Sequence, residues 1–198
     1  MKLTAITGPM WSGKTEYLRS KLRRAVWENS TKLAGVVIAN EYNTRQSSRD
    51  LGNDGGFTVL TPDMPSDYFE KLAEYSNSRV ATVVVDEIHL YEVFQSTMTI
   101  PCLLGGLLDA KNVKEIIIAG IYYDCYNDFR PFRIWENLLA IADKIKFFKS
   151  NRPCFSCGFP PYISLYSVPT SMSESCVGDH YENMCRQCAE KHMVKLRG

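Results

Sequence analysis

Apolar residues along this chain gather into short, β-rich runs separated by polar stretches. The runs are Leu3 to Thr7, Ala34 to Ala39, Phe57 to Thr61, Val80 to Val85, Glu115 to Ala119 and Lys144 to Phe148, and most gaps between them are long enough to hold a helix. Val83-Val84-Val85 and Ile116-Ile117-Ile118 are continuously apolar rather than alternating. A strand covered on both faces of a parallel sheet has that pattern. From Lys14 to Trp27, Tyr17, Leu18, Leu22 and Val26 recur at roughly helical spacing among Arg and Lys, which predicts a helix after the first strand. The order of elements predicts an α/β fold with a doubly wound parallel sheet. After Phe148 the texture changes to Pro, Cys, Ser and Gly with few apolar runs. We therefore divide the chain near Ser150, into residues 1–150 and a small second domain of residues 151–198. The Ser-rich stretch from Ser167 to Ser175 reads as loop.

Composition narrows the classes. With 198 residues and 45% hydrophobic content the chain can bury a core. Lys and Arg total 23 against 22 acidic residues, so a polynucleotide track or an anionic membrane surface is not expected as a partner. Neither a signal peptide nor a membrane-spanning stretch is visible. The expected location is the cytoplasm, where closely spaced cysteines are metal ligands more often than disulfides.

Three motifs carry chemistry. Gly8-Pro9-Met10-Trp11-Ser12-Gly13-Lys14-Thr15 satisfies the G-x-x-x-x-G-K-[ST] pattern between a predicted strand and a predicted helix. Its backbone N–H groups and the helix N-terminus suit the phosphates of ATP, with Lys14 on the β- and γ-phosphates and the Thr15 hydroxyl on Mg²⁺. Asp86 and Glu87 follow the buried run Val83-Val84-Val85, at the strand edge where open α/β sheets bind ligands. Consecutive residues point to opposite sides of a strand. Asp86 can then hold Mg²⁺ while Glu87 takes a proton from an acceptor hydroxyl. The third motif is a pair of CxxC sequences, Cys154/Cys157 and Cys185/Cys188, with 27 residues between them. Four thiolates in two close pairs form a closed tetrahedral site for a structural Zn²⁺. Cys102, Cys125 and Cys176 stand apart and are read as incidental thiols.

These motifs, in this order, resemble the type II thymidine kinases. Shorter segments extend the likeness: Asn43-Thr44-Arg45, Asn53-Asp54-Gly55, Arg130-Pro131-Phe132 and Asp179-His180-Tyr181 look like four further family signatures. The resemblance implies transfer of a phosphoryl group from ATP to the 5′-hydroxyl of thymidine, with Glu87 as general base and Arg45 steadying the transferring group. It also implies a lasso loop between the CxxC pairs that closes over the base. Met10, Ser164, Val177, Gly178 and Tyr181 would then line the nucleoside site, with Tyr126 or Phe129 as the aromatic stacked on the base. A homotetramer is implied as well. The chain departs from the family at His89, Tyr122 and Tyr166, which stand where Gln, Asp and Arg are usual. Another pyrimidine deoxynucleoside is therefore an alternative substrate. An ATPase with a nucleic-acid-binding zinc module is a further alternative.

Overall fold

All six apolar runs form strands of one sheet. The structure, a computed structural model, describes residues 1–30, 34–38, 58–60, 82–93, 105–106, 113–124, 129–166 and 181–197. The strands are β1 (Lys2–Thr7), β2 (Gly35–Ile38), β3 (Thr58–Leu60), β4 (Thr82–Val85), β5 (Glu115–Gly120) and β8 (Lys144–Phe147). They lie in the order β3-β2-β4-β5-β1-β8, every neighbouring pair parallel. Because Thr7 is level with both Gly120 and Phe147, and Val85 with Ile118, the carboxyl ends of β4, β5, β1 and β8 share one edge.

Side chains of consecutive strand residues go to opposite faces, and both faces are covered. On one face Ile6, Val37, Val84 and Ile117 pack against Leu18 and Leu22 of α1 (Lys14–Asn29). On the other, Leu3, Ala5, Val36, Ile38, Val83, Val85, Ile116 and Ile118 pack against Ile134, Trp135 and Leu138. Those three belong to the helix over Arg133–Ile141. Burying each Val, Ile or Leu contributes about 1.5–3 kcal/mol relative to exposure. The continuous apolar runs are thus explained by two helical layers, and the predicted fold class holds. β8 forms an open edge, where Lys144 and Lys146 alternate with the exposed Ile145 and Phe147. Lysines on an edge strand discourage pairing with a stray strand.

Short elements close the carboxyl edge. The helix α2 (His89–Val93) follows β4, and the strands β6 (Tyr123–Asp124) and β7 (Arg130–Pro131) pair antiparallel just before the Arg133–Ile141 helix, α3. The N-cap of α3, Phe132, offers no side-chain acceptor. Glu92 of α2 supplies one instead: its two carboxylate oxygens accept the N–H groups of Arg133 and Ile134 at 3.1 and 3.0 Å. Inside the sheet edge, the Trp135 indole N–H donates to the carbonyl of Ile121 at 2.7 Å.

The C-terminal segment adds β9 (Ile163–Tyr166), β10 (Tyr181–Met184) and α4 (Arg186–Arg197). β9 and β10 pair antiparallel, with Ser164 opposite Asn183. Period-two alternation divides the pair cleanly. Ile163, Leu165 and Met184 form a small cluster with Cys154 and Ala189, whereas Tyr181 joins the main core. Neither strand is visible as an apolar run in the sequence.

The Glu92 cap generates a prediction. Glu92→Ala leaves two N–H groups of α3 without acceptors and removes a charge from the helix N-terminus, a loss of about 1 kcal/mol. The thermal midpoint of the variant should fall by about 2–4 °C; an unchanged midpoint would mean that water replaces the carboxylate at no cost.

Candidate active site

The phosphate-loop motif occupies the turn between β1 and α1, at the shared carboxyl edge. Its backbone enters the left-handed region at Trp11 (φ 61°) and Gly13 (φ 81°), a conformation that curls successive N–H groups toward one concavity. Gly8 is required by close approach: a Cβ there would lie 2.4 Å from the backbone oxygen of Phe148. Lys14 is buried, its ammonium donating to the carbonyls of Gly8 and Pro9 at 2.9 and 2.8 Å and to the Ser12 hydroxyl at 3.3 Å. Phosphate oxygens arriving in the loop would compete with those acceptors for the same charge. Trp11 presents its ring to the Arg152 guanidinium, 3.8 Å from the ring centroid.

Asp86 and Glu87 are both buried at the end of β4. One strand, β5, separates β4 from β1, yet the two motifs meet. The Thr15 hydroxyl donates to Asp86 Oδ2 at 3.2 Å, and the N–H of Glu87 donates to Asp86 Oδ1 at 3.0 Å. Both oxygens of Asp86 are thereby oriented. Glu87 holds a left-handed backbone, φ 53°, which costs about 1–3 kcal/mol in a residue other than glycine. The turn is held down by the Ile88 N–H, which donates to the Ala119 carbonyl at 2.9 Å. His89 is buried beside it, its Nδ1 3.4 Å from Glu87 Oε2 and within 3.3 Å of the Ile121 N–H, which donates to it.

A cavity opens next to this group. His89, Ile121, Tyr123, Asp124, Phe132, Ser164 and Tyr181 line a space of about 10 Å³, room for one water. A wider cavity of about 600 Å³ lies by Lys2, Lys21, Arg24 and Glu115, at the other edge of the sheet. It touches none of the motif residues. Volume alone therefore does not locate the chemistry.

Of the residues singled out in the sequence, the structure brings the phosphate loop, Asp86, Glu87, Ser164 and Tyr181 together on this edge. Met10 is buried in the main core, in the same cluster as Tyr181. Phe129 packs against the Ile163–Leu165–Met184 cluster, alongside Tyr123. Arg45, Tyr126, Val177 and Gly178 lie outside the described residues, as do Cys102, Cys125 and Cys176. Asn183 was missed. It is buried, and its amide donates to the carbonyl of Met10 at 2.9 Å and to the hydroxyl of Ser150 at 2.7 Å. Only its position opposite Ser164 across the β9–β10 ladder could have drawn attention to it, and that pairing is not legible in the sequence.

The four CxxC cysteines converge. Their Sγ atoms all lie within 4.8 Å of one another, with Cys157 and Cys185 3.6 Å apart. A tetrahedral Zn²⁺ with Zn–S bonds of about 2.3 Å puts its sulfurs about 3.8 Å apart, so the set fits that ion. The thiols differ in acidity. Burial pushes the Cys154 thiol up, but N–H groups of Cys185, Ser156 and Cys157 directed at its sulfur outweigh this and bring it down to about 6. Cys188, hydrogen-bonded to Cys157 and Cys185, is pushed up to about 12. One sulfur is thus held ready as a thiolate, the form that binds metal.

Comparison with known proteins bears on the same residues. A family model described as thymidine kinase matches residues 1–189. A protein named thymidine kinase from Mycoplasma mobile is 26% identical over 190 residues, covering 94% of this chain and 86% of the relative. Its namesake from Metamycoplasma arthritidis is 29% identical over 190 residues, covering 94% and 89%. One from Bacteroides thetaiotaomicron is 26% identical over 194 residues, covering 94% and 86%.

Gly120, at the end of β5, tests whether the acidic turn depends on tight packing. A Cβ there would lie 3.0 Å from Ile88 Cγ2, 3.2 Å from His89 Nδ1 and 3.3 Å from the Ile88 nitrogen. Gly120→Ala should cost about 1–3 kcal/mol by overpacking, read as a lower midpoint in denaturant. Unchanged stability would show that the Asp86–His89 turn can move aside freely.

Proposed function

The chain belongs to the thymidine kinase family, and from that premise we propose that it transfers the terminal phosphoryl group of ATP to the 5′-hydroxyl of thymidine. One observation carries the reading at this site: the 3.2 Å contact from Thr15 to Asp86. It joins the phosphate loop to the acidic pair, beside a cavity walled by aromatic rings.

The roles follow from position. The loop from Gly8 to Thr15 holds the polyphosphate through its N–H groups, and Lys14 leaves the Gly8 and Pro9 carbonyls for the phosphate oxygens. Thr15 and Asp86 hold Mg²⁺, which when bound neutralises charge on the phosphates. Glu87 accepts the proton of the 5′-hydroxyl, its direction set by the left-handed turn at its own Cα and by His89 beside it. Met10, Ser164 and Tyr181 border the nucleoside, and Tyr181 and Phe132 exclude water from the transfer. We carry Arg45, Tyr126, Phe129, Val177 and Gly178 over as proposed site residues on the family resemblance.

The division into residues 1–150 and 151–198 remains our proposal. Cys154, Cys157, Cys185 and Cys188 hold one structural Zn²⁺ in the second part, with no position open for catalysis. For the whole protein we propose a homotetramer in the cytoplasm. The exposed Ile145 and Phe147 on the open β8 edge offer apolar surface for assembly, and closely spaced metal-binding cysteines suit a compartment that keeps thiols reduced. No helix among the described residues is long and apolar enough to cross a membrane.

Two measurements test this reading. Glu87→Gln keeps the shape of the side chain and removes the base, so monophosphate formation from thymidine should fall by about 10²–10⁴-fold while ATP still binds. Turnover near that of the wild type would remove Glu87 from the mechanism. Metal analysis should find one zinc per chain, lost in Cys185→Ser together with the order of the β9–β10 hairpin. A zinc-free, fully folded protein would overturn the metal assignment.

A further inference from the structure

Met10 sits in the middle of the phosphate loop, and its backbone is held from both sides by the C-terminal hairpin. Its N–H donates to Ser164 Oγ at 2.6 Å, and its carbonyl accepts from Asn183 Nδ2 at 2.9 Å. The Ser164 hydroxyl donates in turn to Asn183 Oδ1 at 3.0 Å. These bonds close a circuit in which every donor direction is fixed: Met10 N–H to Ser164, Ser164 O–H to Asn183, and Asn183 N–H back to Met10. All three residues are buried. Leaving one member of such a buried circuit unpaired costs more than the bond itself contributes.

The other end of Asn183 reaches the cysteines. Its backbone carbonyl accepts the N–H of Phe155 at 2.9 Å, inside the Cys154–Cys157 knuckle. Met184 follows it in β10 and packs on Cys154; Cys185 comes next. A single residue therefore bonds to the thiol knuckle through its main chain and to the phosphate loop through its side chain. Polar side chains at 164 and 183, directly opposite each other on a covered face of the hairpin, have no packing reason to be there. Their bonds to Met10 supply one.

We propose that Asn183 is a positioning residue for the phosphate loop, through which the cysteine-held hairpin fixes the curvature of the loop and so its affinity for the polyphosphate of ATP. The proposal rests on the phosphate-loop reading given above. Asn183 touches neither the nucleotide nor the reacting atoms. It acts by keeping the Met10 peptide in one orientation, so that the N–H groups after it converge.

The test measures binding of a non-hydrolysable ATP analogue with Mg²⁺ to the full, zinc-loaded chain, without nucleoside. Asn183→Asp keeps the size and the acceptor for Ser164 but has no N–H for Met10. The analogue should bind about tenfold more weakly, the equivalent of one hydrogen bond with its desolvation penalty, while zinc content stays at the wild-type value. Ser164→Ala should weaken binding in the same direction, and the double variant should be no worse than the sum of the two and closer to either alone, because both break one circuit. The Ser164→Ala arm keeps the test open even if Asn183→Asp folds poorly. Zinc-loaded single variants that bind the analogue as tightly as the wild type would overturn the proposal. So would variants that lose thermal stability or zinc while affinity is kept, since Asn183 would then be merely structural. A wild-type chain that fails to bind the analogue would instead bring down the phosphate-loop reading, and the clamp's role with it.

Discussion

A parallel sheet buried on both faces leaves the chain little freedom in where it can keep a charge. The middles of β2, β4 and β5 hold only apolar side chains and that of β1 adds a single buried threonine, Thr4, because helices cover both faces. Polar chemistry is pushed to the strand ends, and parallel pairing brings the carboxyl ends of successive strands to the same edge. Lys14, Asp86 and Glu87 are all buried; Asp86 and Glu87 lie just past the end of β4, and Lys14 opens the helix that the loop after β1 leads into. The site exists because the core excludes it from everywhere else.

Much of this was legible in the sequence because it follows from burial. The runs Val83-Val84-Val85 and Ile116-Ile117-Ile118 announce strands with two covered faces, and β4 and β5 are the inner strands that result. The helical stripe of Leu18 and Leu22 faces the sheet as its spacing requires. The phosphate loop and the acidic pair were readable because their spacing is set by local geometry, a turn and a strand end. The two CxxC sequences were readable for the same reason: each pair is a single turn, and only the meeting of the pairs needs the fold.

The C-terminal hairpin was not legible, and the reason is physical. Ile163-Ser164-Leu165-Tyr166 and Tyr181-Glu182-Asn183-Met184 alternate, but the face that should be apolar by the usual pattern is shared between Tyr181 and two hydrogen-bonding side chains. A buried polar residue reads as loop when its partner lies far along the chain. His89 was noticed, but only as a departure from a family pattern. Its packing against the Glu87 turn and Gly120 depends on how β4 and β5 are set side by side, which no local window contains. The small C-terminal core has the same character: Cys154, Ile163, Leu165, Met184 and Ala189 are too few and too scattered to show as a run, and too few to hold a fold without the sulfur cluster beside them.

The bond from Asn183 to Met10 spans 173 positions, close to the entire length of the chain. During synthesis the N-terminal strand and helix leave the ribosome first, and the phosphate loop between them can form early from local contacts. Its Met10 peptide, however, stays unclamped until the last strand has been made. If the clamp acts as proposed, the loop takes its tightest form only after that strand has been made, so the order of translation sets the moment at which the loop reaches its final shape.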